Sequence, residues 1–89
     1  MEKVIIKQLT EDEITVRKIR TWPVWEKEIS RFDWNYDTDE ECLILKGEIN
    51  IETENGNFNI TVGDFVTFRK GLKCTWDIIS PVKKHYNFP

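Results

Sequence analysis

Nowhere does this sequence run apolar for anything near the roughly 20 residues that a membrane-crossing helix requires, so a membrane is not among its expected partners. Positive charge is not in excess either. The net charge is −3 and the charges are dispersed, the longest like-sign run being Glu11-Asp12-Glu13. A dedicated nucleic-acid binder would show a basic face, so nucleic acid is not an expected partner. Cysteine is scarce, and Cys42 and Cys74 would make at most one disulfide. Met1-Glu2-Lys3, followed only by Val4-Ile5-Ile6 before Lys7, lacks the form of a secretory leader. The expectation is a cytoplasmic protein whose thiols are reduced and, in the simplest reading, buried as small hydrophobes. Repeats at a fixed period and low-complexity tracts are also missing.

What is present is a short chain rich in rings. Its 89 residues are expected to form one domain, residues 1–89. So short a chain buries a modest share of its surface and needs a well-packed core or a partner subunit. Four Trp and five Phe supply much buried area per residue. Trp22 and Trp25 read as exposed, which makes a homodimer covering them the expected assembly.

Taken in order, Val4-Ile5-Ile6 begins a short strand that ends near Leu9. Thr10-Glu11-Asp12-Glu13 has the form of a capping box, with Leu9 and Ile14 placed as a hydrophobic staple around it. The β-branched Ile14, Thr15, Val16 and Ile19 limit the helix to one or two turns. Pro23 lacks an amide hydrogen, so a strand there lies at an edge or starts after it. Glu26 to Tyr36 reads as a half-exposed strand, bent or bulged near Ile29 to Phe32, and Asp37-Thr38-Asp39 as a turn. Asn55-Gly56 is a preferred two-residue hairpin loop because both of its positions need positive φ. That loop pairs Thr53 with Phe58, Ile51 with Ile60 and Ile49 with Val62, and sets the apolar residues of both arms on one face. Phe65 to Phe68, Lys73 to Ile79 and, after a break at Ser80-Pro81, Val82 to Phe88 are the remaining strands. Eight or so short strands with little helix predict an all-β fold, a small antiparallel barrel or jelly roll.

The stretch from Phe32 to Gly47 carries the densest chemistry. Alternation along a strand would project Phe32, Trp34 and Tyr36 together. Glu40 then opens an apolar run that holds Glu40, Cys42 and Ile44 on one face. Its surroundings resemble the cupin superfamily. Glu40, six residues and Gly47 match the close of the first cupin motif. Gly63-Asp64, a strand, Gly71 and Cys74 follow the second, with Arg69 at its proline and Cys74 at its histidine. Trp22-Pro-x-Trp25, Phe32-x-Trp34-x-Tyr36-Asp37, Gly71-Leu-x-Cys74-x-Trp76 and Pro81-Val-x-Lys83-x-His85-Tyr86 are similar to the small single-domain cupins grouped with the (S)-ureidoglycine aminohydrolase cupin domain. That resemblance implies a cupin barrel and, by analogy, an enzyme acting on a small nitrogen-containing metabolite.

The family's metal set is three histidines and a glutamate, and only Glu40 is retained. The His-x-His pair falls on Trp34/Tyr36 or Asp33/Asn35, and the one histidine, His85, lies outside both motifs. A divalent metal would have to be held by Glu40 and Cys74 with His85 or Tyr36. Without a metal, Trp34, Tyr36, Glu40, Cys74 and Trp76 describe a pocket for a small molecule, with flat apolar walls and two polar groups. Cys74 would act as a nucleophile only with a base or cation beside it. On the last strand, Tyr86 facing inward would let Lys84 pair with Glu40; otherwise His85 is interior. The expected function is small-molecule binding in the barrel interior, catalytic or, as the alternative, a metal-free ligand-binding or sensor module.

Overall fold

A computed structural model describes residues 2–89. Strand β1 (Val4–Gln8) leads through Leu9 into helix α1 (Glu11–Val16), which starts where the capping box sets it. Thr10 Oγ1 accepts the Glu13 N–H at 3.1 Å, and Glu13 Oε1 accepts the Thr10 N–H at 3.0 Å. A 3-10 turn (Ile19–Thr21) then carries the chain to Pro23. The strand starts after that proline, as its missing N–H requires. It is divided where a bend was expected, into β2 (Val24–Lys27) and β3 (Ser30–Asn35). The remaining strands are β4 (Glu40–Thr53), β5 (Gly56–Thr61), β6 (Asp64–Phe68) and β7 (Lys73–Asn87).

All seven strands join one antiparallel sheet of order β1-β6-β4-β7-β2, with β3 added on β7 and β5 on β4. The two long strands β4 and β7 run through both halves of the molecule. β7 pairs with β3 through its first half and with β2 through its second, while β4 pairs with β6 first and β5 later. The path ends at β1 and β2, so the ladder does not close into a ring. The fold is all-β, of the jelly-roll type.

The break expected at Ser80-Pro81 does not end the strand, because β7 runs through both residues. The β4–β7 register shifts between Ile44 and Ile49, opposite these residues, and Pro81 is tolerated because bulges leave an N–H unneeded. Gly47, at φ +96°, sits in the same corner, where a Cβ would run into the Pro81 carbonyl. Bulges of this kind let a strand turn from one layer to the other.

The β4–β5 hairpin keeps its expected face but not its expected register. Ile51 pairs with Phe58 and Ile49 with Ile60, two residues from the pairing an Asn55-Gly56 loop would give. Glu54 and Asn55 make the loop, and of the turn residues only Gly56 takes positive φ. Thr53 Oγ1 accepts the Asn55 N–H at 3.1 Å and donates to the Gly56 carbonyl at 2.7 Å, which holds this tighter start. A shift of two preserves strand parity, so Ile49, Ile51 and Ile60 remain fully buried, while Val62 falls beyond β5 and is exposed.

Two clusters make the core. The larger fills the interior around Ile49, Ile51, Val66, Phe68 and Ile78, and each such side chain contributes about 1.5–3 kcal/mol by leaving water. The smaller lies on the outer face, where α1 and the 3-10 turn cover Leu43 and Phe65 with Ile14 and Ile19. Trp22 and Trp25 are half-buried rather than exposed. Trp22 packs against the outer cluster and Trp25 against the inner one.

Candidate functional site

Glu40 is the first residue of β4, and its position is set by the turn before it. Asp39 Oδ1 accepts the Lys70 N–H at 2.7 Å, which ties the turn to the end of β6 and leaves Glu40 opposite Phe68. From there alternation turns Glu40, Cys42 and Ile44 inward, all buried. On β7 the inward residues are Cys74, Trp76, Ile78, Val82 and Lys84. The open question of the last strand is thereby answered: Lys84 is interior. Its Nζ lies 3.2 Å from Glu40 Oε2 and 3.3 Å from Cys42 Sγ, donating to both. The Lys84 and Glu40 side chains are 5% and 8% exposed, so this ion pair is shut away from water.

Rings enclose the pair. The Trp25 and Trp76 centroids stand 4.9 and 4.8 Å from Lys84 Nζ, and their faces favour the ammonium. Phe32 stacks on Trp76 at 5.9 Å, Trp25 meets the same ring edge-on at 5.8 Å, and Tyr36 stacks on Phe68 at 4.9 Å. Between these rings is a cavity of about 290 Å³ with Glu40 and Lys84 in its wall. That volume is at the low end for ligand sites, which suits a small ligand. Trp34 and Phe88, each more than half exposed, stand at its open side.

Burial lifts one phenol and both thiols of this region further above neutral pH. Burial, and then the nearby Glu40 carboxylate, push the Tyr36 phenol well above its ordinary range. Burial raises the Cys42 thiol to about 12 in spite of Lys84. Burial likewise raises Cys74 to about 11, against the Trp76 N–H. Neither thiol is a thiolate near neutral pH, so neither is an activated nucleophile.

Of the residues expected in the pocket, Trp34, Tyr36, Glu40 and Trp76 line the cavity. Cys74 faces inward but lies in the core beside it, its Sγ 3.7 Å from the Trp34 carbonyl. His85 points to the opposite face of β7, where Nδ1 lies 3.0 Å from the Trp22 carbonyl. A carbonyl only accepts, so Nδ1 carries the proton. Glu40, Cys74 and His85 therefore serve three separate contacts, and no group of three or more His, Cys, Asp or Glu side chains gathers among the described residues. The metal implied by the resemblance does not fit this donor set, whose carboxylate already holds an ammonium. Sequence reasoning missed Trp25 and Phe88 as lining residues, and held an inward Tyr86 as one of two alternatives. Alternation had joined Phe32 to Trp34 and Tyr36, but nothing local showed that β2 would lay Trp25 across Trp76.

The EutQ-like cupin domain matches residues 15–86. The chain belongs to this cupin family. A DUF861 family protein from Thermotoga maritima is 47% identical, over 97% of this chain and 99% of its own, with a TM-score of 0.93. The Clostridium difficile EutQ protein is similar at 21% identity and TM-score 0.67, over 97% of this chain and 68% of its own. A putative ethanolamine utilization protein Q from Salmonella typhimurium is 18% identical with TM-score 0.65, over 93% of this chain and 66% of its own. The last two likenesses speak for the fold alone. No curated protein matches the chain. No helix among the described residues is long and apolar enough to cross a membrane.

Proposed function

We propose that this cupin binds one small ring-bearing molecule in its interior cavity. The observation that carries the reading is the buried Glu40–Lys84 pair set into an aromatic-walled space of about 290 Å³. Core packing would account for the rings, but not for two charged groups that burial penalises unless they are paired and used. The rings supply stacking surfaces, and the ion pair supplies hydrogen-bonding groups that orient a ligand. Trp76→Ala removes the wall shared by Phe32 and Trp25 and should weaken binding at least about tenfold, consistent with the weight of single aromatic anchors. A thermal-shift screen of ring-containing metabolites, followed by calorimetry on hits, tests this. Hits whose affinity Trp76→Ala leaves untouched would move the site elsewhere.

A second reading makes the protein an enzyme on a small nitrogen-containing metabolite, as the similarity to ureidoglycine aminohydrolase cupins implies. It is favoured by the same carboxylate and ammonium, which together form a candidate acid–base pair. The metal-dependent form of that chemistry is not carried over. Both readings place the protein in the cytoplasm, where the free thiols Cys42 and Cys74 stay reduced. Both take a homodimer as the assembly, supported now by the exposed Val24, Trp34, Ile79 and Phe88 rather than by Trp22 and Trp25.

A further inference from the structure

An ammonium has three N–H donors. Glu40 Oε2 and Cys42 Sγ take two of those on Lys84, at 3.2 and 3.3 Å, and no third acceptor meets it among the described residues. The Trp25 and Trp76 rings beside it hold the charge without offering a lone pair. The Trp76 indole N–H is also buried and completes no hydrogen bond among the described residues, although it lies beside the Tyr36 hydroxyl and the Cys74 thiol. Buried donors left unmatched cost free energy, and both belong to side chains that line the same cavity.

We propose that the cavity takes an uncharged, flat, carbonyl-bearing molecule whose carbonyl oxygen accepts a hydrogen bond from Lys84 Nζ, and that Lys84, not a metal ion, is the cation of this site. The inference rests on the cavity being a ligand site and names the ligand's class. Charge does the selecting. Glu40 and Lys84 cancel each other, so neither sign of ligand gains a net attraction. An anion would meet the Glu40 carboxylate and the negative ring faces, and a cation would meet the ammonium. A neutral carbonyl meets an unspent donor and stacks its plane on the rings.

Benzamide, benzoate and benzylammonium share a ring and differ in charge, and tryptophan fluorescence reports on them because Trp25, Trp34 and Trp76 line the cavity. With chelator-treated protein, benzamide should bind about tenfold tighter than either ion, the worth of one hydrogen bond to a charged donor. In Glu40→Gln the lysine is left uncompensated, and the preference should move toward benzoate. In Glu40→Gln/Lys84→Met, which removes both charges and so avoids a buried unpaired one, benzamide should lose about tenfold. Either ion binding best to the unmodified protein, benzamide binding that a chelator abolishes, or full benzamide affinity in the double variant would overturn the role of Lys84 and leave the cavity a ligand site. No binding by any of the three probes would overturn the cavity reading itself, and this inference with it.

Discussion

Two ion pairs in this molecule show how little contact geometry alone reveals. On the outer surface Arg31 grips Glu52 with both nitrogens, at 2.6 and 2.7 Å, and reaches Asp77 at 3.5 Å. In the interior Lys84 touches Glu40 once, at 3.2 Å. By distance and number the outer pair is better made. Its side chains are 56% and 35% exposed, however, so water competes for both charges and salt screens them. The inner pair has almost no water to fall back on, so each partner depends on the other. Such pairs add little net stability over an apolar replacement, while breaking one is expensive. A pair of that kind, set in a ring-lined cavity, supports the proposed ligand site more than the role of a brace.

The largest expected effect comes from separating the inner pair. Lys84→Met leaves the Glu40 carboxylate buried without a cation, and should lower unfolding stability by about 3–5 kcal/mol at pH 7. Adding Glu40→Gln should restore most of the loss, since both charges are then gone. Urea titrations of the two variants and the unmodified protein measure this. A single-variant loss below about 1 kcal/mol would place the pair energetically with surface pairs and break the contrast.

A middle-sized effect concerns the sulfur beside the pair. Cys42 accepts from Lys84 and is fully buried, whereas Cys74 lies beside the cavity at 7% exposure and hydrogen-bonds to no cation among the described residues. Burial raises both thiols from 9.0, to about 12 and about 11. Because each folded value lies above the unfolded one, the stability tied to the protonated thiol is complete below about pH 9. It is lost as pH climbs toward the folded value, over a wider span for Cys42. At pH 8, iodoacetamide should therefore label neither thiol in the folded protein. In mild urea Cys74 should react first, and Cys42 only with global unfolding, as peptide mass mapping would show. Equal labelling of both before unfolding would mean that the inner pair is open to solvent.

How far these features were legible in the sequence depends on how local their causes are. The Thr10–Glu13 capping box involves neighbours in sequence, and the structure has it where the residues put it. The alternation of Phe32, Trp34 and Tyr36 needs only strand parity, and all three line the cavity. The Asn55-Gly56 loop was overridden by the Thr53 hydroxyl, a single side chain that moved the start of the turn. The inward choice of Lys84 over His85 depends on how β7 crosses the corner at Gly47 and Pro81, where the register with β4 shifts. No pattern within Val82 to Phe88 encodes that crossing. For the same reason Trp25 read as exposed, since its cover is Trp76, on a strand more than forty residues further along the chain.

The smallest effect should come from the outer pair, and its smallness is informative. The Glu52 carboxyl is held below its ordinary value by the hydrogen bonds from Arg31, and the Arg31 guanidinium is raised chiefly by Glu52. A lowered carboxylate stabilises above its unfolded value, and that contribution disappears as pH falls through the folded one. Any benefit of the pair is therefore confined to mildly acidic and higher pH, and it should fade on adding salt because the Debye length shortens to about 3 Å at 1 M. Arg31→Ala should move the melting midpoint at pH 7 by no more than the scatter of repeat melts, and by still less in 1 M salt. Ligand binding should not change, because Arg31 is on the outer face. A midpoint loss comparable to that of Lys84→Met would show that bidentate geometry outweighs burial in this fold, and would remove the physical ground for treating the inner pair as the exceptional one.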